Sequence, residues 1–135
     1  MRIKENVENK IVISKSEFIT YLGRCFSDEE CREFIAHVRK LHPQATHVCS
    51  AYITNEKMTK RTNDDGEPSK TAGMPMLDAL EKNDMEDICA CVVRYFGGIK
   101  LGAGGLIRAY SNSVSEALKV ADKVEVCTMK IYQLI

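Results

Sequence analysis

Ile88-Cys-Ala-Cys-Val-Val-Arg94-Tyr-Phe-Gly-Gly-Ile-Lys-Leu-Gly-Ala-Gly-Gly105-Leu-Ile-Arg108-Ala-Tyr110 is the stretch from which the rest of the chain is read. An apolar run, Ile88–Val93, enters it. Five of the chain's eight glycines lie between Gly97 and Gly105. Leu106, Ile107, Tyr110, Val114, Ala117, Leu118 and Ala121 then recur at helical spacing, which predicts a helix over 106–121. The continuous apolar run suits a central strand covered on both faces. Strand, glycine loop and helix bring backbone N–H groups close to a bound anion. Each glycine costs about 0.5–1 kcal/mol of chain entropy, so five in nine positions are not neutral filler. Gly104-Gly105 is predicted at the helix N-terminus, where free amides and about half a positive charge point outward.

Moving back from that stretch, Met76, Leu77 and Leu80 form the buried stripe of a short helix that Pro75 opens and Asn83-Asp84 ends. Before it, residues 54–75 carry no clear period. They contain the dense turn signal Asn63-Asp-Asp-Gly66-Glu-Pro68-Ser. An irregular segment that long is often functional. Asp64 and Asp65 read as caps for local backbone, with a divalent cation as the other reading. Thr46–Ile53 reads as a strand, and it places His47 on the largely apolar face shared with Cys49, Ala51 and Ile53. His47 reads as a partly buried core histidine, with a site residue as the alternative.

Ser27 and Glu30 form an S-x-x-E capping box. They open a helix whose apolar face is Cys31, Phe34, Ile35, Val38 and Leu41, and which Pro43 stops. Lys10–Ser14 and Phe18–Leu22 read as two strands, or one bent near Ser14–Ser16. Beyond the last helix, Val124–Tyr132 alternates like a final strand. The order β-β-α-β-loop-α-β-loop-α-β predicts an α+β two-layer sandwich, a mixed sheet with helices on one face.

At 135 residues, 44% apolar and 28% charged, the chain has one domain's worth of core. Net charge is zero, so no global field draws it to nucleic acid or membrane, and any such binding needs a local patch. No apolar run approaches the roughly 20 residues of a membrane span, and the N-terminus does not read as a secretory signal. A cytoplasmic location is expected. The six cysteines form no C-x-x-C pair and read as reduced, buried thiols. A dithiol metal site at Cys89 and Cys91 is disfavoured, and neither a metal nor a cofactor is expected. The sequence carries no signal for an oligomeric state.

The local patch is in the glycine loop. No acid occurs between residues 88 and 115, while Arg94, Lys100 and Arg108 add three positive charges. A phosphate, free or in a nucleotide or polynucleotide, is the natural guest. The structural alternative is that the glycines only permit tight strand–helix packing. Neither the P-loop nor the G-x-G-x-x-G pattern is present.

Asp64-Asp-Gly-Glu-Pro-Ser69, Thr71-Ala-Gly73 and above all Arg94–Tyr110 resemble the IMPACT/YigZ family (UPF0029), in its bacterial form; Ala45–Tyr52 is similar to that family's strand. The likeness covers roughly residues 15–121. It implies a fold like the second domain of ribosomal protein S5, shared with elongation factor G and kinases of the galactokinase group, and a role near translation. Lys70 stands where bacterial members usually have glycine, which questions any need for a positive φ there. Such members typically continue into a ferredoxin-like domain. The expected division is therefore 1–123 as the first domain and 124–135 as its final strand or the start of the second.

The leading functional expectation is a non-enzymatic, translation-associated regulatory module that binds RNA, the ribosome or a translation factor, with no membrane partner. Its candidate binding residues are Arg94, Gly97, Gly98, Lys100, Gly102, Gly104, Gly105, Arg108 and Lys70, with Asp64, Asp65, Glu67 and His47 as loop candidates and Arg61 beside them. Exposed Tyr95 or Phe96 would stack on a base. The alternatives are an enzyme acting on a phosphorylated small molecule or nucleotide, with a loop acid as base or metal ligand, and a protein–protein adaptor. No catalytic residue is assigned.

Overall fold

The computed structural model describes residues 1–125. Its elements in chain order are β1 (Arg2–Ile3), β2 (Val7–Ile13), β3 (Ser16–Arg24), α1 (Asp28–Leu41), β4 (His47–Thr54), β5 (Thr59–Asn63), α2 (Gly73–Lys82), β6 (Ile88–Tyr95), α3 (Gly102–Val120) and β7 (Lys123–Val124). Five strands form one sheet in the order β2-β3-β6-β4-β5, and β1 pairs with β7 in a separate ribbon. No helix among the described residues is long and apolar enough to cross a membrane.

The α+β class holds, and β6 is the central strand that its apolar run predicts. Two details differ from the sequence reading. Every pairing in the five-stranded sheet is antiparallel rather than mixed. The helices also cover both faces. Ile88, Ala90 and Val92 of β6 pack with α2 and α3 in the larger core. Cys89, Cys91 and Val93 face Cys31 and Val38 of α1 in a smaller one. A strand without polar positions needs cover on both sides, because alternate side chains point to opposite faces.

The hairpin β2–β3 turns through Ser14 and Lys15, both at positive φ (48° and 68°), with Ile13 opposite Ser16. This is the backbone that a two-residue hairpin loop requires. The Ser27 hydroxyl accepts from the Glu30 amide at 3.1 Å, and Glu30 reaches back to the Phe26 amide at 2.7 Å, so α1 starts at the predicted capping box. The stretch 54–75 is not wholly irregular. Residues 59–63 form β5, an edge strand paired with β4. Thr-Lys-Arg-Thr-Asn is almost entirely exposed, so it lacks the apolar alternation by which a strand is recognised. Helix α3 begins four residues before its predicted start, which leaves Gly104 and Gly105 inside its first turns. Ile107 is exposed, because the buried face runs through Leu106, Ala109, Tyr110 and Val114. Of the predicted final strand, only Val124 falls in β7; residues 126–135, with Cys127, lie outside the described residues.

Candidate functional site

The site is built on one cross-strand row at the end of the sheet. Arg94 of β6 lies opposite Phe18 on one side and His47 on the other. Residues directly opposite in an antiparallel pair share a face, and this face carries α2 and α3. The Arg94 guanidinium lies between the rings of Phe18 and Phe96, its Cζ 5.5 Å from each centroid. Phe18 is buried and Phe96 is half exposed.

Residues 64–73 supply the rest. Asp64 is a structural clamp: Oδ2 accepts from the Lys70 amide at 2.8 Å, and Oδ1 accepts from Ala72 at 3.2 Å and Gly73 at 2.8 Å. It thereby caps the N-terminus of α2 from nine residues upstream. Asp65 holds the loop to β4, accepting from the Val48 amide at 2.7 Å, and meets Arg39 at 3.3 Å. Asp64 performs the capping role predicted for both acids, whereas the Asp65 carboxylate serves a long-range bond to β4 and an ion pair with Arg39 instead. Neither faces the glycine loop.

Glu67 does face it. Its side chain is buried, and Oε2 accepts from Arg94 Nη1 at 2.8 Å and from the Tyr110 hydroxyl. Burial, with Cys49 and the Glu67 carboxylate close by, raises the Tyr110 pKa, so this phenol is a fixed donor. Arg94 Nη2 reaches Ser16 Oγ at 3.4 Å. Arg94 is therefore an internal, charge-balanced group rather than a surface cation. Its Nε–H has no acceptor among the described residues. His47 Nδ1 donates to the Asp65 carbonyl at 2.8 Å, which leaves Nε2 directed toward Glu67 Oε1 at 3.5 Å. His47 is thus both a tethered, partly buried residue and a member of the cluster.

The glycine loop closes the site. Gly97 is required by close approach: a β-carbon there would stand 2.0 Å from the Lys15 carbonyl oxygen of the β2–β3 turn. Its amide donates to Ser16 Oγ at 3.2 Å. Gly98 and Gly102 have φ of +92° and +74°. The N-terminus of α3 has no side-chain cap, and Gly102, Ala103 and Gly104 are exposed. Gly105 is half-buried against Leu101. Lys100 and Arg108 are exposed, and the Arg108 guanidinium lies over Gly104, 3.7 Å from where its β-carbon would be. Lys70 is exposed at φ +64°. Arg61 sits elsewhere, on β5, 3.8 Å from Asp28.

Between loop, row and helix lies a cleft of about 430 Å³. His47, Glu67 and Arg94 line it on one side and Lys100, Leu101, Gly102 and Ala103 on the other, with Thr46, Pro68, Phe96 and Leu106 between. Gly97, Gly98, Gly104, Gly105, Arg108 and Lys70 do not line it. Sequence reasoning missed Thr46, Pro68 and Tyr110 as members of the site. Tyr110 carried a signal: a hydroxyl at the tip of a fully apolar helix face demands a buried partner. Tyr95, predicted as a stacking platform, is instead tied by its hydroxyl to His42 at 2.6 Å.

The fold and site define an α+β domain with a mixed-polarity cleft at an uncapped helix N-terminus. Residues 14–118 match the family model of the Impact N-terminal domain, and the chain belongs to that family. It is 55% identical over 130 residues to the IMPACT family member YvyE of Bacillus subtilis, covering 96% of this chain and 60% of that protein. It is 44% identical over 110 residues to YigZ of Escherichia coli, covering 79% of this chain and 54% of that one. The chain thus spans somewhat more than half the length of these curated relatives. A crystal structure of a hypothetical protein superposes with a TM-score of 0.84 at 40% identity, over 88% of this chain and 59% of that one. The two-domain translational regulator Yih1 shares the fold at a TM-score of 0.50 and 21% identity, over 88% of this chain and 46% of that one.

Proposed function

We propose that this chain is a translation-associated regulatory module, not an enzyme, which binds RNA, bare or within the ribosome, through the N-terminus of α3. The family membership and the shared fold of the translational regulator Yih1 support the translational setting. One observation carries the binding mode: the first amides of α3 are uncapped and exposed, Lys100 and Arg108 stand beside them, and Phe96 and Ile99 are exposed on the same loop. Helix N-termini favour phosphate. Aromatic platforms beside cations suit single-stranded RNA.

Anisotropy of a labelled single-stranded RNA at low salt tests this. The wild type is expected to bind, with log K falling against log salt by about 0.7 per phosphate contact. Lys100→Glu with Arg108→Glu should cost at least tenfold and flatten that slope; both residues are exposed, so the fold is retained. RNA affinity that is absent at low salt, or untouched by the double reversal, overturns the reading. A partner captured equally well after nuclease and in high salt also overturns it, in favour of a protein adaptor.

A further inference from the structure

We propose that the outer edge of β2 pairs with the same edge of a second copy of this chain, joining two five-stranded sheets into one about a two-fold axis at Asn9. The inference goes beyond the RNA reading and does not rest on it. β2 ends the sheet, and among the described residues no strand takes its far side. Its seven residues, Val7–Ile13, include neither proline nor glycine. Edge strands that stay single are short, covered, bulged, or guarded by proline or repelling charge. The opposite edge of the sheet has such a guard: β5 carries Lys60 and Arg61 and no acid, so two copies of it repel. β2 carries one charge of each sign, Glu8 and Lys10, both exposed.

The pairing with β3 fixes which backbone groups of β2 face outward. The Arg24 amide turns toward β2 and donates to Asn6 Oδ1 at 3.0 Å, while the next amide, Cys25, turns toward β6 and donates to the Asp87 carbonyl at 3.1 Å. Backbone groups alternate sides along a strand. Phe18, Thr20 and Leu22 therefore bond to their partners Ile11, Asn9 and Val7, and the N–H and C=O groups of Glu8, Lys10 and Val12 point away from the sheet. Two antiparallel copies can join only where these outward groups meet, so a slip of two residues is allowed and a slip of one is not. With Asn9 on the axis, Glu8 lies opposite Lys10 of the second copy and Lys10 opposite its Glu8, each pair exchanging both N–H···O bonds. Opposite charges directly across a pair are stabilising, and like charges are destabilising. A slip of two residues sets Lys10 against Lys10 in one direction and Glu8 against Glu8 in the other. A lone lysine would guard this edge; Glu8 cancels the guard in one register and so selects it. On the other face the same register sets Val7 against Ile11. Both are half-buried at the margin of the larger core, so α3 does not roof the edge, and pairing covers them further.

The test is sedimentation equilibrium of the 135-residue chain over a concentration series, with charge reversals. The mass is expected to rise from 15.2 kDa to twice that and no further, with half the chains paired by about 0.1 mM. Glu8→Lys alone and Lys10→Glu alone each set like charges in both pairs, and each should weaken self-association at least about tenfold. Both side chains are exposed, and the Lys10–Glu17 pair that Lys10→Glu removes is an exposed one, so the fold is retained. Mixing the two single variants should restore a dimer that neither forms alone, and the exchange of both residues in one chain should restore self-association. Amide hydrogen exchange supplies the second readout: Glu8 and Lys10 are expected to gain protection as concentration rises, while Asn9 and Ile11 are protected throughout. A chain that stays monomeric up to about 1 mM overturns the proposal. So does a dimer that ignores the reversals or leaves the Glu8 and Lys10 amides unprotected, since it forms through another surface. A mass that climbs past the dimer also overturns it, because β2 would then be joining a different edge into open chains.

Discussion

At the scale of single residues, Lys70 is the most instructive. The family resemblance places glycine at this position, and lysine argued against any need for left-handed backbone. The structure nevertheless holds Lys70 at φ +64°, fixed by its amide on Asp64 Oδ2. A side chain in that region costs about 1–2 kcal/mol, part of which glycine's greater freedom in the unfolded chain offsets. Lys70→Gly is expected to raise stability by about 0.5–1 kcal/mol, seen as a higher urea midpoint at unchanged m-value. A lower midpoint would mean that the lysine side chain contributes more than its backbone loses. The cap at Asp64 was legible, because Asn-Asp-Asp-Gly is turn chemistry whatever surrounds it, while the long-range hold of Asp65 on β4 was not. The partnership of Glu67, Arg94 and Tyr110 was not. It joins residues 27 and 43 positions apart, and nothing local in the sequence records the meeting.

At the scale of elements, the position of α2 depends on one absent side chain. A β-carbon on Gly73 would stand 2.8 Å from Thr62 Cβ and 2.9 Å from the Asn63 amide nitrogen, both on β5. Backbone cannot yield as a flexible side chain does. Gly73→Ala is therefore expected to cost about 1–3 kcal/mol, the usual range for overpacking, read by chemical denaturation. A neutral result would show that α2 slides freely on the hairpin. The sequence showed the three helices and the central strand, because each carries a strong apolar period or run. It hid β5, whose exposed, polar edge position removes that signal. It also set α3 four residues too late, since glycines in a first turn look like loop. The register that places His47 opposite Arg94 belongs to strand pairing, and so could not be read from either strand alone.

At the scale of the whole molecule, the buried acids of the core set a limit toward alkaline pH. Burial raises the Cys49 thiol to about 12, with the Glu67, Asp65 and Asp64 carboxylates adding to the effect. The unfolded thiol ionises near 9. Between those values the folded state holds a proton that the unfolded state has lost, so stability is full below pH 9 and falls as pH rises toward 12. The expected slope from this group is about 1.4 kcal/mol per pH unit. Cys49→Ala should flatten the decline measured by urea titration from pH 8 to 11; an unchanged slope would clear Cys49 of responsibility. One consequence follows from the strand order. Strands β3 and β4 both wait for β6, which is made last of the five in the sheet. During synthesis the first eighty-odd residues hold two hairpins that share no strand, although α1 packs on both β3 and β4. Assembly of the sheet is a late event whose long-range pairings make it slow. Until residue 95 has left the exit tunnel, the strand that joins the two hairpins into one sheet is incomplete.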